Sequence, residues 1–190
     1  MEFEASPKLL DGSQPATFDQ LFERFDQLGI ETATKHHPAV FTVEQAKKLR
    51  GAIEGCHSKN LFVRNKKGRM WLIVCLEDRR INLKLLGRRL GAGPFSFASP
   101  ERLMKYLGLT PGAVNPFAVI NDHGRQVQVV LDQEILLREP LNFHPLVNSM
   151  TTSISAADFL TYLEAEEHPP VMVDFSEIES VLVNRPTSNG

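Results

Sequence analysis

Two apolar segments joined by a short polar turn constrain the fold more than any other feature of this chain. Residues 60–64 and 70–76 are dominated by aliphatic and aromatic side chains. Residues 65–68 between them are Asn-Lys-Lys-Gly, and the glycine suits a tight turn between two strands. The pattern predicts a β-hairpin.

Helix and strand signals alternate along the rest of the chain and predict a mixed α and β protein. Residues 17–20 have the form of a capping box, and apolar residues recur at helical spacing from there to Gly29. Asn82 marks another helix start, and so does Ser99 followed by Pro100. The predicted helices cover 18–28, 42–51, 83–90, 100–107 and a segment after Ser155, and the predicted strands cover 31–41, 60–64, 70–76, 79–81, 117–120, 126–131, 146–154 and 171–175.

Length and composition favour one domain. A chain of 190 residues with 42% hydrophobic content can bury one sizeable core. It contains no apolar run of the roughly 18 residues that a membrane-spanning helix needs, and its first residues lack the layout of a signal peptide. Its two cysteines, Cys56 and Cys75, are too few for a disulfide scaffold or a four-thiolate metal site. We expect a cytoplasmic protein without a metal or cofactor, with an extension at 1–16, a domain at 17–175 and a tail at 176–190.

The charge of the chain is unevenly distributed. The net charge is -2, yet ten of the 21 basic residues lie between Lys59 and Arg89, where the only acidic residues are Glu77 and Asp78. This segment therefore carries about +8 and could meet a polyanion such as a nucleic acid. The alternative is a solvated surface of a hairpin and a helix.

A loop between a glycine and a proline has features that suit ligand binding. Residues 112–116, Gly-Ala-Val-Asn-Pro, follow the helix that Gly108 ends and precede the apolar run 117–120. Glycine allows unusual dihedrals and proline stiffens the exit, so such a loop can present main-chain N–H and C=O groups to a ligand. The same pattern is also typical of an ordinary connection between a helix and a strand.

Three polar residues are further candidates. Lys59, at the start of the first hairpin strand, can contact a phosphate as a point charge, or it is an ordinary surface lysine. Asn60 beside it can bind a hydroxyl or amino group, or cap the strand entry. His144 can carry a proton or donate a hydrogen bond, or it is structural.

Other chemistries find no support in the sequence. His36, His37 and His57 do not combine with cysteines or carboxylates at a metal-ligand spacing. Cys75 lies in an apolar strand, where a thiol is normally inert packing. No nucleophile-elbow, P-loop or dinucleotide-binding motif is present.

Taken together, residues 112–116, Lys59 in Cys-His-Ser-Lys-Asn-Leu-Phe and His144-Pro145 resemble the YbaK/ProX family of aminoacyl-tRNA deacylases. The likeness covers residues 20–165 and is strongest to the free-standing ProX-type proteins that clear alanine from proline tRNA. It implies a single α+β domain with a mixed, curved β-sheet flanked by helices. It also implies hydrolysis in trans of the ester between alanine and proline tRNA, with tRNA as partner and prolyl-tRNA synthetase left open as a second partner.

The resemblance, together with the charge distribution, assigns expected roles. The expected catalytic residues are Lys59, Gly112 and His144. The expected substrate-binding residues are Asn60, Ala113, Val114, Asn115, Pro116, Asn148 and Thr151. The expected tRNA contacts are Arg64, Lys66, Lys67, Arg80, Lys84 and Arg88.

The expected mechanism uses no side-chain nucleophile. The main chain of residues 112–116 holds the aminoacyl end, Lys59 anchors the terminal nucleotide, and a water or the neighbouring ribose hydroxyl attacks the ester. Two alternatives stay open. One is a relative that clears cysteine from proline tRNA, and the other is a non-catalytic module that binds tRNA or a synthetase.

Overall fold

Residues 7–39 and 53–178 of this chain are described by a computed structural model, and they form a mixed β-sheet with helices on both faces. The α-helices are α1 (Phe18–Leu28), α2 (Leu83–Arg89), α3 (Pro100–Leu107) and α4 (Ala156–Ala165). The strands are β1 (Thr32–His36), β2 (Cys56–Arg64), β3 (Met70–Leu76), β4 (Ser96–Phe97), β5 (Val127–Asp132), β6 (Leu141–Phe143), β7 (Met150–Ile154) and β8 (Val171–Val173). Two 3₁₀ helices cover Pro116–Asn121 and Gln133–Leu137.

The strand order within the described ranges is β1-β7-β6-β2-β3-β5-β8, with β4 paired to β2 beside this path. Neighbours are antiparallel at β1/β7, β7/β6, β2/β3 and β2/β4, and parallel at β6/β2, β3/β5 and β5/β8. The α+β class with a mixed sheet flanked by helices is therefore confirmed. In the described part of the chain, no helix has both the length and the apolar character that crossing a bilayer requires.

The central strand β3 separates two hydrophobic cores. All seven of its residues are buried, as expected for a strand covered on both faces. Its side chains alternate between the faces. Met70, Leu72, Val74 and Leu76 join the core formed with α1, α3 and α4, which we call the first core. Trp71, Ile73 and Cys75 join the core formed with α2, which we call the second core.

An aromatic cluster centred on Phe117 holds the first core together. The Phe117 ring lies 5.1 Å from Phe25 of α1, 5.4 Å from Phe143 of β6 and 5.6 Å from Tyr162 of α4, measured between ring centroids. All three pairs are edge-to-face, the arrangement that aromatic quadrupoles favour. The Tyr162 hydroxyl also donates to the Phe117 carbonyl at 2.6 Å. One residue thus joins two helices and a strand.

The predicted helix caps are confirmed wherever the structure describes them. At α1, the Thr17 hydroxyl accepts from the Gln20 amide and the Gln20 side chain accepts from the Thr17 amide, while Gly29 ends the helix at φ +67°. Ser99 and Asn82 accept from the first turns of α3 and α2 in the same way. The predicted helix at 42–51 and residues 179–190 of the predicted tail lie outside the described residues.

The predicted strand at 117–120 is wrong, because these residues form part of a 3₁₀ helix. Phe117, Ala118 and Val119 are all buried, so the run is apolar on every side and shows no alternation. A short apolar run of this kind does not distinguish strand from helix, and Pro116 at the first helical position tips the balance, since its fixed φ suits a helical turn.

Two other predicted strands need correction. Residues 79–81 leave the sheet after a turn at 77–78, and the Arg79 side chain is drawn towards Asp132. The predicted strand at 146–154 begins only at Met150, because Leu146 adopts a left-handed φ of +66° in the preceding turn. Strands β4 and β6 escaped the prediction, since two or three residues are too few to show a period.

We predict that Tyr162→Phe destabilises the fold. The substitution removes only the hydroxyl and leaves the buried Phe117 carbonyl without its donor, so the free energy of unfolding should fall by about 1–2 kcal/mol in urea denaturation. Tyr106→Phe is the matched control, because the Tyr106 hydroxyl makes no hydrogen bond within the described residues. Equal stability of the two variants would contradict this role of Tyr162.

Candidate functional site

Strand β2 is paired along one edge but only near its ends along the other. Residues 58–64 pair with β3 on the first edge. On the second edge, β6 pairs with residues 56–57 and β4 pairs with residues 63–64. Neither of these strands pairs with residues 58–61, so the sheet formed by the described residues is open there. We call residues 58–61 the sheet gap.

Lys59 lies in the sheet gap with its side chain on the α2 face of the sheet. It is paired with Cys75 of the second core, and directly paired antiparallel residues present their side chains to the same face. The Lys59 ammonium donates a hydrogen bond to the main-chain carbonyl of Arg79. The Arg79 guanidinium contacts Glu134 and the fully buried Asp132, with 2.9 Å between Nε and Oδ2. This buried ion pair fixes the segment on which the ammonium rests.

Ser58 and Asn60 point to the opposite face, towards the first core. The Ser58 Oγ and the Asn60 Oδ1 are buried and have no hydrogen-bond partner among the described residues. A buried oxygen without a donor costs about 1–3 kcal/mol, so native proteins rarely keep one without a reason. The two residues are neighbours on one face of the strand, about 7 Å apart. Together they form a site that can accept hydrogen bonds from N–H or O–H groups of a ligand.

His144 directly follows β6, at the edge of the sheet gap. The parallel pairing of β6 with β2 ends at Asn142 and His57, and His144 lies two residues further along the chain. The His144 Nδ1 lies 2.8 Å from the Met150 carbonyl, which can only accept, so Nδ1 carries the hydrogen. Burial of the ring lowers the pKa of His144, and this favours the neutral form. The neutral ring leaves Nε2 as a hydrogen-bond acceptor and base.

Thr151 on β7 connects this region to a second histidine. The Thr151 Oγ1 lies 2.9 Å from the His37 Nε2, and the His37 and His144 rings are 6.1 Å apart between centroids. The His37 Nδ1 donates to the Pro38 carbonyl at 2.9 Å, so its Nε2 accepts the Thr151 hydroxyl hydrogen. The fold therefore brings the predicted residues His144 and Thr151 together.

The predicted loop 112–116 packs on the first-core face, where Val114 contacts the core. Gly112 is exposed and adopts a left-handed φ of +92°, which glycine accepts without strain. Ala113, Asn115 and Pro116 are buried. The Asn115 Nδ2 donates to the Ala113 carbonyl at 2.7 Å, while its buried Oδ1 has no partner among the described residues.

An aromatic contact joins this loop to His144. Phe117, the first residue after the loop, packs edge-on against Phe143, and His144 directly follows Phe143 in the chain.

The loop does not meet every predicted partner. Lys59 lies on the other face of β2, and the hydrogen bond described for its ammonium goes to Arg79 and not to residues 112–116.

The other predicted residues lie around this centre. Asn148 is in the turn between β6 and β7, and its side chain makes no hydrogen bond within the described residues. The six predicted tRNA contacts fall into two groups, one at each end of the basic segment. Arg64, Lys66 and Lys67 belong to the hairpin turn, and Arg80, Lys84 and Arg88 lie just before or on α2. Their roles, and those of the other site residues, stay predictions.

The sequence of residues 37–162 matches the family model described as the aminoacyl-tRNA editing domain. This span is more than half of the chain, and it contains the sheet gap, loop 112–116 and His144. The chain belongs to the aminoacyl-tRNA editing domain family. The predicted family is thereby confirmed.

Individual relatives agree with this assignment. This chain is 37% identical over 161 residues to mouse (Mus musculus) prolyl-tRNA synthetase associated domain-containing protein 1, a match that covers 82% of this chain and 95% of the relative. It is 39% identical over 143 residues to the prolyl-tRNA editing protein ProX of Acetoanaerobium sticklandii, covering 75% and 87%. Among solved structures, a candidate trans-editing enzyme for prolyl-tRNA synthetase shares the fold, with a TM-score of 0.63, 18% identity, and 84% and 96% of the two chains covered.

Four residues of the editing domain that contribute to this geometry escaped the sequence-based prediction. They are Ser58, His37, Arg79 and Asp132. Ser58 is separated from Asn60 by one residue, and strand alternation could have placed both on one face. His37 and Asp132 meet their partners only through pairings between distant segments, which no local pattern reveals.

Thiol chemistry has no place in this site. Burial raises the pKa of Cys56 to about 11, so its sulfur stays protonated. Cys75 is fully buried in the second core. Any reaction at the sheet gap therefore uses oxygen or nitrogen groups.

The lowered pKa of His144 leads to a pH prediction. The folded state binds a proton at this ring less tightly than the unfolded chain does. The neutral His144 ring therefore contributes fully to the free energy of unfolding above pH 6.5, the ordinary histidine value. This contribution is lost as the pH falls through the lower folded-state pKa. NMR titration of the imidazole should give a midpoint below 6.5. His144→Gln should reduce the loss of stability on acidification. A midpoint at or above the ordinary value would contradict the assignment of a neutral ring.

Proposed function

We propose that this editing domain hydrolyses, in trans, the ester bond of alanyl-tRNA for proline. The observation that carries the proposal is a set of three buried side-chain oxygens, those of Ser58, Asn60 and Asn115, which find no donor among residues 7–39 and 53–178 in a fold of the aminoacyl-tRNA editing family. An aminoacyl ester brings an α-ammonium group with three N–H donors and a ribose with hydroxyls. These groups satisfy acceptors that the protein leaves unpaired.

Lys59 anchors the terminal nucleotide from the other face of β2. Its ammonium is a point charge suited to a phosphate, and Arg80 and Lys84 are exposed at the start of α2 on the same side of the sheet. The RNA end therefore approaches from the α2 face, and the ester enters the sheet gap from there. The Arg79 carbonyl keeps the ammonium in position before the RNA arrives.

His144 provides the base for hydrolysis. The neutral Nε2 takes a proton from a water, directly or through the neighbouring ribose hydroxyl, and the water oxygen attacks the ester carbonyl carbon. The bond between that carbon and the ribose oxygen breaks, and the ribose oxygen receives the proton back from the imidazolium. Main-chain N–H groups of residues 112–116 stabilise the negative charge that develops on the carbonyl oxygen.

A separate hydrolase for this ester is needed because the amino-acid pocket of a synthetase discriminates poorly against smaller amino acids. A pocket built for proline cannot strongly exclude the smaller alanine, since each missing methylene changes binding by only about 1–3 kcal/mol. A second site that admits alanine and rejects proline removes the error. The name of the Acetoanaerobium sticklandii relative, prolyl-tRNA editing protein ProX, supports this substrate class.

The first test is hydrolysis of alanyl-tRNA for proline by the purified protein, with ester loss followed over time. We expect Lys59→Ala to slow hydrolysis roughly 100-fold, because positioning of the nucleotide is lost. Lys8→Ala removes an equal charge from an exposed residue distant in sequence and should match the wild type. Faster hydrolysis of cysteinyl-tRNA would identify the cysteine-clearing alternative, and tight tRNA binding without ester loss would identify a non-catalytic module.

A second test separates binding from folding at Asn60. We expect Asn60→Leu to keep or increase the free energy of unfolding, because a buried acceptor without a donor is replaced by an apolar group of similar size. The same variant should lose hydrolysis, since the acceptor for the substrate is gone. Chemical denaturation and the ester assay measure the two effects. A variant that is less stable yet still active would contradict a substrate-binding role.

A further inference from the structure

A cavity lined by described residues lies away from the sheet gap. It has a volume of about 630 Å³ and opens where β3 and β5 begin, with Met70 and Val127 in its lining. Lys59 pairs with Cys75 near the other end of β3. Met70 and Cys75 are five positions apart in an extended strand, which places this end of the cavity about 17 Å along β3 from the residue that pairs with Lys59. We call this cavity the hairpin pocket.

The hairpin pocket carries a positive charge that the protein does not neutralise. Lys67, Arg69 and Arg125 line it, and all three are exposed. Lys67 and Arg69 form no ion pair within the described residues, whereas Arg125 pairs with Glu167. Three cations therefore face one acidic partner, and the pocket fits an anionic ligand.

The turn that presents Lys67 and Arg69 is held rigid. The buried Asn65 accepts hydrogen bonds from their main-chain amides, at 2.9 Å and 3.1 Å, through a single side-chain oxygen. Its amide nitrogen donates to the Ala92 carbonyl at 3.0 Å, which ties the turn to the segment after α2. The cations therefore project from a fixed loop, and less entropy is lost when they bind.

Two residues with a strained backbone line the wall of the hairpin pocket that faces this turn. Arg125 and Glu167 are non-glycine residues with left-handed φ angles of +52° and +57°. Such residues cost free energy and persist where the surroundings hold them, most often at functional sites. Here the buried His168 and Asp122 hold both segments, with 3.0 Å between Nε2 and Oδ2, and the same Asp122 oxygen accepts from the Val127 amide at 2.6 Å.

We propose that the hairpin pocket binds phosphodiester groups of the RNA whose aminoacyl end occupies the sheet gap. The inference rests on the proposed function for the RNA end, but its site is separate. Guanidinium and ammonium groups recognise phosphate, and the exposed amide of Gln126 adds a neutral donor. RNA longer than the terminal nucleotides reaches both sites, so the pocket adds affinity without touching the ester.

The test measures binding of uncharged proline tRNA by filter binding from about 50 to 200 mM salt. The variant Lys67→Ala/Arg69→Ala should bind about ten-fold more weakly at low salt, and its salt slope should fall by about one for each lost phosphate contact. Glu167→Gln should shift affinity in the opposite direction, tightening binding by about two- to three-fold, because it removes the negative charge of the pocket. Lys8→Ala serves as the control and should match the wild type in affinity and slope.

The outcomes separate this inference from the proposed function. Unchanged affinity and salt slope in the double variant would overturn the pocket, even if the wild type hydrolyses the ester. Weaker binding by the double variant, with no hydrolysis by the wild type, would support the pocket and refute only the proposed hydrolysis. AMP is the third probe. If the double variant loses AMP binding and keeps its tRNA affinity, the pocket is a mononucleotide site and the inference is wrong.

Discussion

The seven-residue pairing of β2 with β3 supports everything else in this molecule. Because β3 is buried on both faces and fixes one edge of β2, the other edge can stay open over residues 58–61 without loss of the strand. In an ordinary sheet a neighbouring strand would cover this edge. Here β6 ends at Phe143 and leaves His144 beside the opening. The sheet gap thus exists because β6 is much shorter than β2, and β3 holds β2 in place along its other edge.

The site has features that reduce stability, and this is consistent with its proposed role. Ser58, Asn60 and Asn115 keep buried oxygens without donors, while a protein selected only for stability would pair or replace them. The surrounding structure compensates through close packing. The Phe117 cluster fixes the exit of loop 112–116, and the Arg79–Asp132 ion pair fixes the carbonyl that holds Lys59. Rigid surroundings keep the unpaired groups available to a ligand.

The basic residues between Lys59 and Arg89 fall into two groups in this arrangement. Those near α2 lie on the side from which Lys59 is reached, and those of the hairpin lie about 17 Å away along β3. A single patch of charge would attract RNA without orienting it. Two groups at opposite ends of a rigid hairpin can define the direction in which the RNA lies, because a duplex is too stiff to bend between them. This division could not be read from the charge count alone.

Local signals were sufficient for the elements that depend on neighbouring residues. The helix caps at Thr17, Asn82 and Ser99 were predictable because each cap acts within one turn, and the hairpin at 60–76 because its strands are joined by five residues. The same locality explains the errors. The run 117–120 shows no period, and its 3₁₀ form depends on burial from every side by α1, α4 and β6.

The sequence by itself determined the family and the mixed α+β class, since these rest on motifs and on short-range preferences, and it named Lys59, Asn60 and His144 as candidate site residues. Only the tertiary structure decided that His37 reaches Thr151 and that the described strands leave residues 58–61 unpaired on one edge. The physical reason is that these features arise from pairing between segments far apart in the chain. Such pairing is set by how complete strands and helices pack, and no local pattern of residues records it.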